Sequence, residues 1–291
     1  MSSGDGSILR AGFDEIAAEA PFDIGPYEVD DDFHARSIDA AVAFAPASTG
    51  FRERVDRGMD ATGAPNRAVA VMVFWKSYCF VSAIRPVVSW ARHRRVPDMG
   101  VTDVRIDFGE PGKGAAIAPR TARTAVLPGD PAADEPGTFA VADEDELFAF
   151  FVESYVEGHL EPAIERFVGE ATIGRRGLRA LATAAMTNIA ARRSDGDLAT
   201  RFATVDRMVA DLPAPYAATS RIEEWRGREI EGWSPFPLRT ACCLAYEIAS
   251  HGYCVTCNLL SDEDRIELMA THDLEYRERS IPIAVASERR P

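Results

Sequence analysis

The sequence predicts an α+β protein, mainly α-helical, with one small antiparallel sheet and a cysteine motif near the C-terminus. Three observations carry that expectation. Apolar residues recur at helical spacing through the first hundred residues and again from 143 to 212. Between these stretches, residues 101 to 142 switch to an alternating period broken by Gly, Pro and Asp. Four of the five cysteines then crowd into sixteen residues, as Cys242-Cys243 and Cys254-Val-Thr-Cys257.

Each element follows from its residues. A polar, disordered start leads into a helix over Ile8 to Ala18. Pro21 to Phe33, with the run Asp30-Asp31-Asp32, reads as loop. Helices are expected near Ile38 to Ala45 and Phe51 to Met59. The apolar segment Asn66 to Arg95 predicts two helices broken near Pro86. Strand is the alternative over Ala68 to Phe74, where β-branched residues gather. Arg92-His93-Arg94-Arg95 suits a helix C-terminus, where cations oppose the dipole; an anion contact is the functional alternative.

Val104 to Phe108, Lys113 to Ala118, Arg123 to Leu127 and Thr138 to Val141 read as strands, with an exposed loop over Pro128 to Gly137. Helices resume behind Asp143, with Leu147, Phe150 and Phe151 on one face, and continue over Leu160 to Val168, Gly177 to Arg193 and Leu198 to Leu212. Ser261-x-x-Asp264 resembles a capping box opening a helix to Met269. Ile281 to Val285 could form an edge strand. Three units result: a mainly helical body over 1–232 with its sheet near 101–142, a cysteine segment over 233–262, and an extension over 263–291.

The chain has 291 residues, 46% hydrophobic and 27% charged, enough to build a core without disulfides. A net charge of −14 argues against nucleic acid and against an anionic membrane as partner. It suits a neutral or cationic small molecule, although solubility alone is the simpler reading. The start lacks the basic and apolar blocks of a signal peptide. Lys76, Arg85 and Pro86 interrupt the most apolar stretch, so no transmembrane segment is expected. A cytoplasmic location follows, where thiols stay reduced.

Four close thiols in such a chain point to a metal site rather than a disulfide framework. Four thiolates satisfy one zinc ion, or two iron atoms bridged by sulfide. Adjacent cysteines diverge, to opposite faces of a strand or by about 100° on a helix. A two-iron centre is longer than a single ion and uses such a pair more easily, but geometry alone leaves zinc open. The spacing differs from the two common ferredoxin patterns. Cys79, in an apolar helix, reads as a buried free thiol. His34, His93, His159 and His272 show no metal-ligand spacing.

A cysteine pair, ten residues and Cys-x-x-Cys, with Arg239 before and Leu244-Ala-Tyr246 after, form a specific pattern. Upstream stand Trp90-Ala-Arg-His-Arg-Arg-Val-Pro97, Val104-Arg-Ile106, Gly114 to Pro119, and Thr187-Asn-Ile-Ala190. In this order, over roughly residues 60 to 260, the chain resembles the FhuF-type ferric-siderophore reductases. The resemblance implies a [2Fe-2S] cluster held by Cys242, Cys243, Cys254 and Cys257. It implies an oxidoreductase that passes one electron to Fe(III) in a siderophore, hydroxamate by class, and releases Fe(II) in the cytoplasm. The electron would come from a donor such as a ferredoxin or a flavin reductase.

That chemistry needs no acid, base or nucleophile beyond the cluster. The oxidised centre is formally a dianion; Arg239 and His251 are the nearest residues that could offset it, although a local hydrogen bond or solvated charge is the simpler reading of each, and Tyr246 and Tyr253 could line an approach or pack in the core. Two features depart from the family. Asn258 stands where a proline or similar residue often follows the last cysteine, and the chain continues to Pro291. That tail could cover the cluster or dock a partner. The rival readings are a zinc-stabilised binding module without catalysis, and a [2Fe-2S] electron carrier or redox sensor. A siderophore synthetase needs a longer chain and a phosphate-binding loop.

Overall fold

The computed structural model describes residues 7–20, 24–109, 115–219, 221–225, 234–254, 256–261, 263–264 and 267–268. Helix α1 (Ile8–Glu19) is capped by the Ser7 side chain, which accepts from the Arg10 N–H. The acidic run expected as loop instead makes α2 (Asp31–Arg36), because Asp30 accepts from the Phe33 N–H as an N-cap. A short strand β1 (Ile38–Asp39) and one turn of helix, α3 (Ala40–Ala43), replace the single helix expected there. Helix α4 (Thr49–Thr62) ends at Gly63, whose φ of 67° is the left-handed conformation of a helix stop.

Helix α5 (Arg67–Val88) is the axis of the fold. It is helix throughout, so both the strand alternative and the break at Pro86 are corrected. Asn66 caps it, and Pro86 removes only one amide from a helix held by burial along most of its length. A π-helical turn, Ser89–His93, prolongs it until Arg94, at φ 52°, turns the chain away. Residues Arg67–His93 are together long and apolar enough to cross a membrane, and more than half of that surface is buried inside the protein.

Strands β3 (Val104–Asp107), β4 (Ala116–Pro119), β5 (Thr124–Val126) and β6 (Thr138–Ala140) lie close to their expected positions, and β2 (Arg95–Pro97) stands where the end of a helix was expected. They split between two sheets, and each sheet recruits a strand from outside residues 101–142. One is antiparallel, β1-β3-β4; the other is mixed, with β2 antiparallel and β6 parallel to β5. The small antiparallel sheet is therefore present, and the second sheet is an addition to the expected fold.

Helices α6 (Glu144–Phe151) and α7 (Glu161–Val168) are joined by a nine-residue π-helical segment, Val152–Leu160. Then follow α8 (Arg175–Arg193), α9 (Leu198–Asp211) and α10 (Ala214–Ala217). A hairpin of β7 (Arg221–Trp225) and β8 (Ser234–Leu238) was not expected. Pro235 and Pro237, two residues apart, leave one edge of β8 free to pair. Strand β8 lies against α8 and α9 and delivers the chain to Arg239.

The core is aromatic. Phe51 meets Phe167 edge to face at 4.8 Å, and Trp75 meets Phe167 at 4.7 Å. The Trp75 indole N–H donates to the Leu178 carbonyl at 2.8 Å, tying α5 to α8. Buried His159, on the π segment, holds Tyr78 Oη at 2.5 Å through Nε2 and the Met99 carbonyl at 2.7 Å through Nδ1. Arg92, Arg94 and Arg95 pair with Glu15, Glu19 and Asp195, with Glu144, and with Asp130. The basic run thus clamps α1, α6 and the 128–137 loop, which supports its structural reading. Ser261 Oγ accepts from the Asp264 N–H at 3.1 Å, as a capping box requires. The edge strand expected at Ile281 to Val285, and most of the 263–291 extension, lie outside the described residues.

Candidate metal centre

The cysteine segment is pinned to the helical body from both ends. Thr240 Oγ1 donates to the Thr219 carbonyl at 2.6 Å, and Thr219 Oγ1 reaches Thr183 Oγ1 on α8 at 3.2 Å. The Arg239 N–H donates to the Thr256 carbonyl at 3.2 Å, which brings the start of the segment against its end. A 3₁₀ turn, Ala245–Glu247, packs on α5.

Leu244 carries the sharpest local signal. Its φ of 59° is left-handed, unusual for a residue with a branched side chain. That turn lets the Leu244 N–H fold back and donate to Cys242 Sγ at 3.3 Å. A tight turn at Cys254, whose carbonyl accepts the Cys257 N–H at 2.8 Å, brings the second cysteine pair round in the same way.

All four sequence-predicted ligands meet in this one place. Their thiols stand two by two: Cys242 hydrogen-bonds Cys257, and Cys243 hydrogen-bonds Cys254. Cys243, Cys254 and Cys257 are buried, and Cys242 is half-buried at the outer edge. All are free thiols. Among the described residues no three His, Cys, Asp or Glu side chains close on a single point.

The surroundings of the two pairs differ. Arg239, only 6% exposed, places Nη1 at 3.4 Å from Cys243 Sγ and 3.3 Å from Cys254 Sγ. Lys76 Nζ approaches Cys254 Sγ at 3.8 Å. The Cys242–Cys257 pair instead accepts from backbone amides, those of Leu244 and Leu259. The hydrogen bond from Cys243 brings Cys254 down to about 4 against the effect of burial, and Arg239 and Lys76 assist. The bond from Cys242 brings Cys257 down to about 7. Cys242 and Cys243 move up, each first as the donor of its pair and then through burial. Burial alone would lower Arg239, but the charges on Cys254 and Cys243 outweigh it and raise the guanidinium.

Tyr246 and Tyr253 stack at 5.3 Å, and both are half-buried. Burial, then the Lys76 charge, hold His251 below its usual range. Cys79 is fully buried in α5, where burial pushes its thiol well up; the charge of Arg239 acts against this. The tertiary structure adds Lys76 to the site. Its signal was visible, because Lys76 and Lys113 are the only lysines in a chain rich in arginine, and Lys76 sits in the most apolar helix.

The donor set is all sulfur, divided into two pairs. A single tetrahedral ion would ask all four sulfurs to surround one point, whereas a two-iron centre takes two per metal. An all-sulfur donor set grouped in twos is compatible with the longer centre. No family model matches the chain, and no curated protein or solved structure matches it.

Proposed function

We propose that the chain is an oxidoreductase in which Cys242, Cys243, Cys254 and Cys257 hold a [2Fe-2S] cluster, and that it reduces Fe(III) in a siderophore by one electron. One observation carries the metal part of this reading. Arg239 is a buried cation, and among the described residues its charged partners are cysteine sulfurs, with no carboxylate beside it. A buried guanidinium needs an anion, since taking an unpaired ion out of water costs several kcal/mol. Neutral thiols do not answer that need; thiolates do, and a bound metal is what would keep all four sulfurs in that form together.

When bound, the cluster would supply single electrons without proton transfer. The protein's own groups do the rest. Arg239 and Lys76 offset the charge of the thiolates. Leu244 and Leu259 donate amides to sulfur, and the helical body buries three of the four ligands. Half-buried Cys242 and the stacked tyrosines leave one edge within reach of a substrate.

The substrate class comes from the resemblance. Ferric iron is hard and binds hydroxamate oxygens strongly, and ferrous iron binds them less well, so one electron loosens the chelate. A ferredoxin or flavin reductase would be the donor, and the cytoplasm, which keeps thiols reduced, the setting. The two-by-two sulfurs favour this reading over a zinc-stabilised binding module.

Anaerobic purification with iron and sulfide analysis, followed by EPR after reduction, tests the cluster. Mixing the reduced protein with ferric hydroxamate siderophores tests the activity: re-oxidation of the cluster should accompany capture of ferrous iron by a chelator. A colourless zinc protein would refute the assignment. A cluster that stays reduced with several ferric siderophores, yet is oxidised by a protein partner, would make it a carrier or sensor.

A further inference from the structure

The four sulfurs are grouped across the cysteine segment, not along it. Cys242 hydrogen-bonds Cys257 and Cys243 hydrogen-bonds Cys254, so each pair joins one member of the Cys242-Cys243 dipeptide to one member of the Cys-x-x-Cys turn. The surrounding contacts support that grouping. The Arg239 N–H reaches the Thr256 carbonyl, which lays the start of the segment beside its end. One nitrogen, Arg239 Nη1, lies 3.4 Å from Cys243 Sγ and 3.3 Å from Cys254 Sγ, and so holds those two sulfurs near each other. Access separates the pairs: Cys242 is half-buried, whereas Cys243, Cys254 and Cys257 are buried.

We propose that the metal-free segment is a thiol–disulfide switch that closes between Cys242 and Cys257 and so gates the loading of the centre. Its co-reactant is a small disulfide of the glutathione type. The pairing stands on the grouping of the sulfurs; its effect on loading rests on the iron–sulfur reading. A bond between Cys242 and Cys257 takes two of the four proposed ligands out of use, and a thiol reductant returns them.

The reaction is thiol–disulfide exchange. Cys242, the least buried of the four, gives up its thiol proton and attacks one sulfur of the small disulfide. That S–S bond breaks, a mixed disulfide forms and one small thiol leaves. Cys257 Sγ, already in contact with Cys242 Sγ, gives up its proton and displaces the second small thiol. The cysteine pair is oxidised by two electrons, the small disulfide is reduced by two, and the two protons leave on the two small thiols. The other pairings are disfavoured. Neighbouring Cα atoms stand about 3.8 Å apart, short of the roughly 4.4 Å that a disulfide ordinarily spans, so Cys242–Cys243 would be strained. Cys254 and Cys257 have the spacing of a redox Cys-x-x-Cys, but joining them would draw Cys254 Sγ away from Cys243 and from Arg239 Nη1. Cys243 and Cys254 are grouped, but both are buried, so an external disulfide meets Cys242 first.

The test uses the full chain, stripped of metal by a chelator under reducing conditions and then exposed to glutathione disulfide. Free thiols are alkylated in denaturant with one reagent; after reduction, the remainder are alkylated with a second reagent of different mass. Trypsin leaves the four cysteines on one peptide, residues 240–265, and its fragmentation places each label. The second label is expected on Cys242 and Cys257, and the first on Cys79, Cys243 and Cys254. Cys257→Ser should stop at the mixed disulfide and leave Cys242 carrying glutathione. The oxidised chain, freed of small thiols, should fail to take up ferrous iron and sulfide, and dithiothreitol should restore the uptake. The second label on Cys254 with Cys257, on Cys243 with Cys254, or on none of the four would overturn the proposal, as would an oxidised chain that loads as the reduced one does. Should Cys257→Ser fail to fold, the labels on the parent chain decide. Labels in the expected places on a chain that holds no iron and sulfide even when reduced would uphold the pairing and remove the iron–sulfur reading. Labels elsewhere on a chain that does hold them fail the proposal alone.

Discussion

Arg239 bridges the inner cysteine pair: one guanidinium nitrogen sits 3.4 Å from Cys243 Sγ and 3.3 Å from Cys254 Sγ, at the bottom of a buried site. Ten residues separate these two cysteines in sequence, and the arginine beside both draws their sulfurs into one electrostatic unit. The Cys254 thiol is drawn down beside it, first by the hydrogen bond from Cys243 and then by the guanidinium and Lys76.

Replacing Cys254 by Ala should abolish the visible absorption of the purified protein, because it removes a ligand and leaves Arg239 facing a half-empty site. Cys79→Ser should keep the absorption. It should lower stability by about 1–3 kcal/mol, the cost of placing a hydroxyl in an apolar, fully buried position. Spectra and urea unfolding of the two variants side by side would check both statements. A Cys79→Ser protein without a cluster would contradict the ligand assignment.

Leu244 should respond in opposite directions to two substitutions. A β-branched Val at φ 59° should cost roughly 1–2 kcal/mol more than Leu and reduce the iron held per chain. Gly removes the conformational cost, so Leu244→Gly should retain the cluster despite the loss of side-chain packing. Iron content measured after identical reconstitution distinguishes them.

Glu170 anchors α7 to the helices beside it. It meets Arg67, Arg166 and Arg52, and both its side chain and that of Arg166 are almost wholly buried. Glu170→Ala should therefore destabilise the fold by about 3–5 kcal/mol, chiefly by stranding the Arg166 charge. A loss below 1 kcal/mol in denaturant unfolding would show that water reaches this network.

His159 gives the fold an acid limit. Burial lowers it to about 4 from an ordinary 6.5, against the raising effect of its bond to Met99. The unfolded chain therefore binds the proton more readily between these values, and stability rises with pH across that window. The contribution is complete above pH 6.5 and is lost as pH falls toward 4. At about 1.4 kcal/mol per pH unit, it amounts to roughly 3 kcal/mol. His159→Gln should flatten the dependence of unfolding free energy on pH between 6.5 and 4. An unchanged slope would mean that the imidazole is not the group responsible.

The proposed ligands and most helices were legible in the sequence because their causes are local. Cys242, Cys243, Cys254 and Cys257 announced themselves by spacing, and α8 and α9 by a 3.6-residue period. Helix α2 was hidden because Asp30-Asp31-Asp32 looks like a solvated loop until Asp30 is recognised as a cap. Helix α5 was misread as broken because Pro86 is a local signal, overridden by burial along the helix. The hairpin of β7 and β8 gave no clear signal because prolines at alternate positions weaken the strand pattern of β8.

The sequence by itself determined which atoms can bind metal, and that a mainly helical body with a small sheet carries them. Only the tertiary structure decided how those atoms are grouped and what faces them. Lys76 lies 178 residues from Cys254, and the two meet because α5 passes beneath the cysteine segment. Residue spacing encodes local geometry, whereas the charge around a site is summed over every element packed against it, and that sum exists only once the chain has folded.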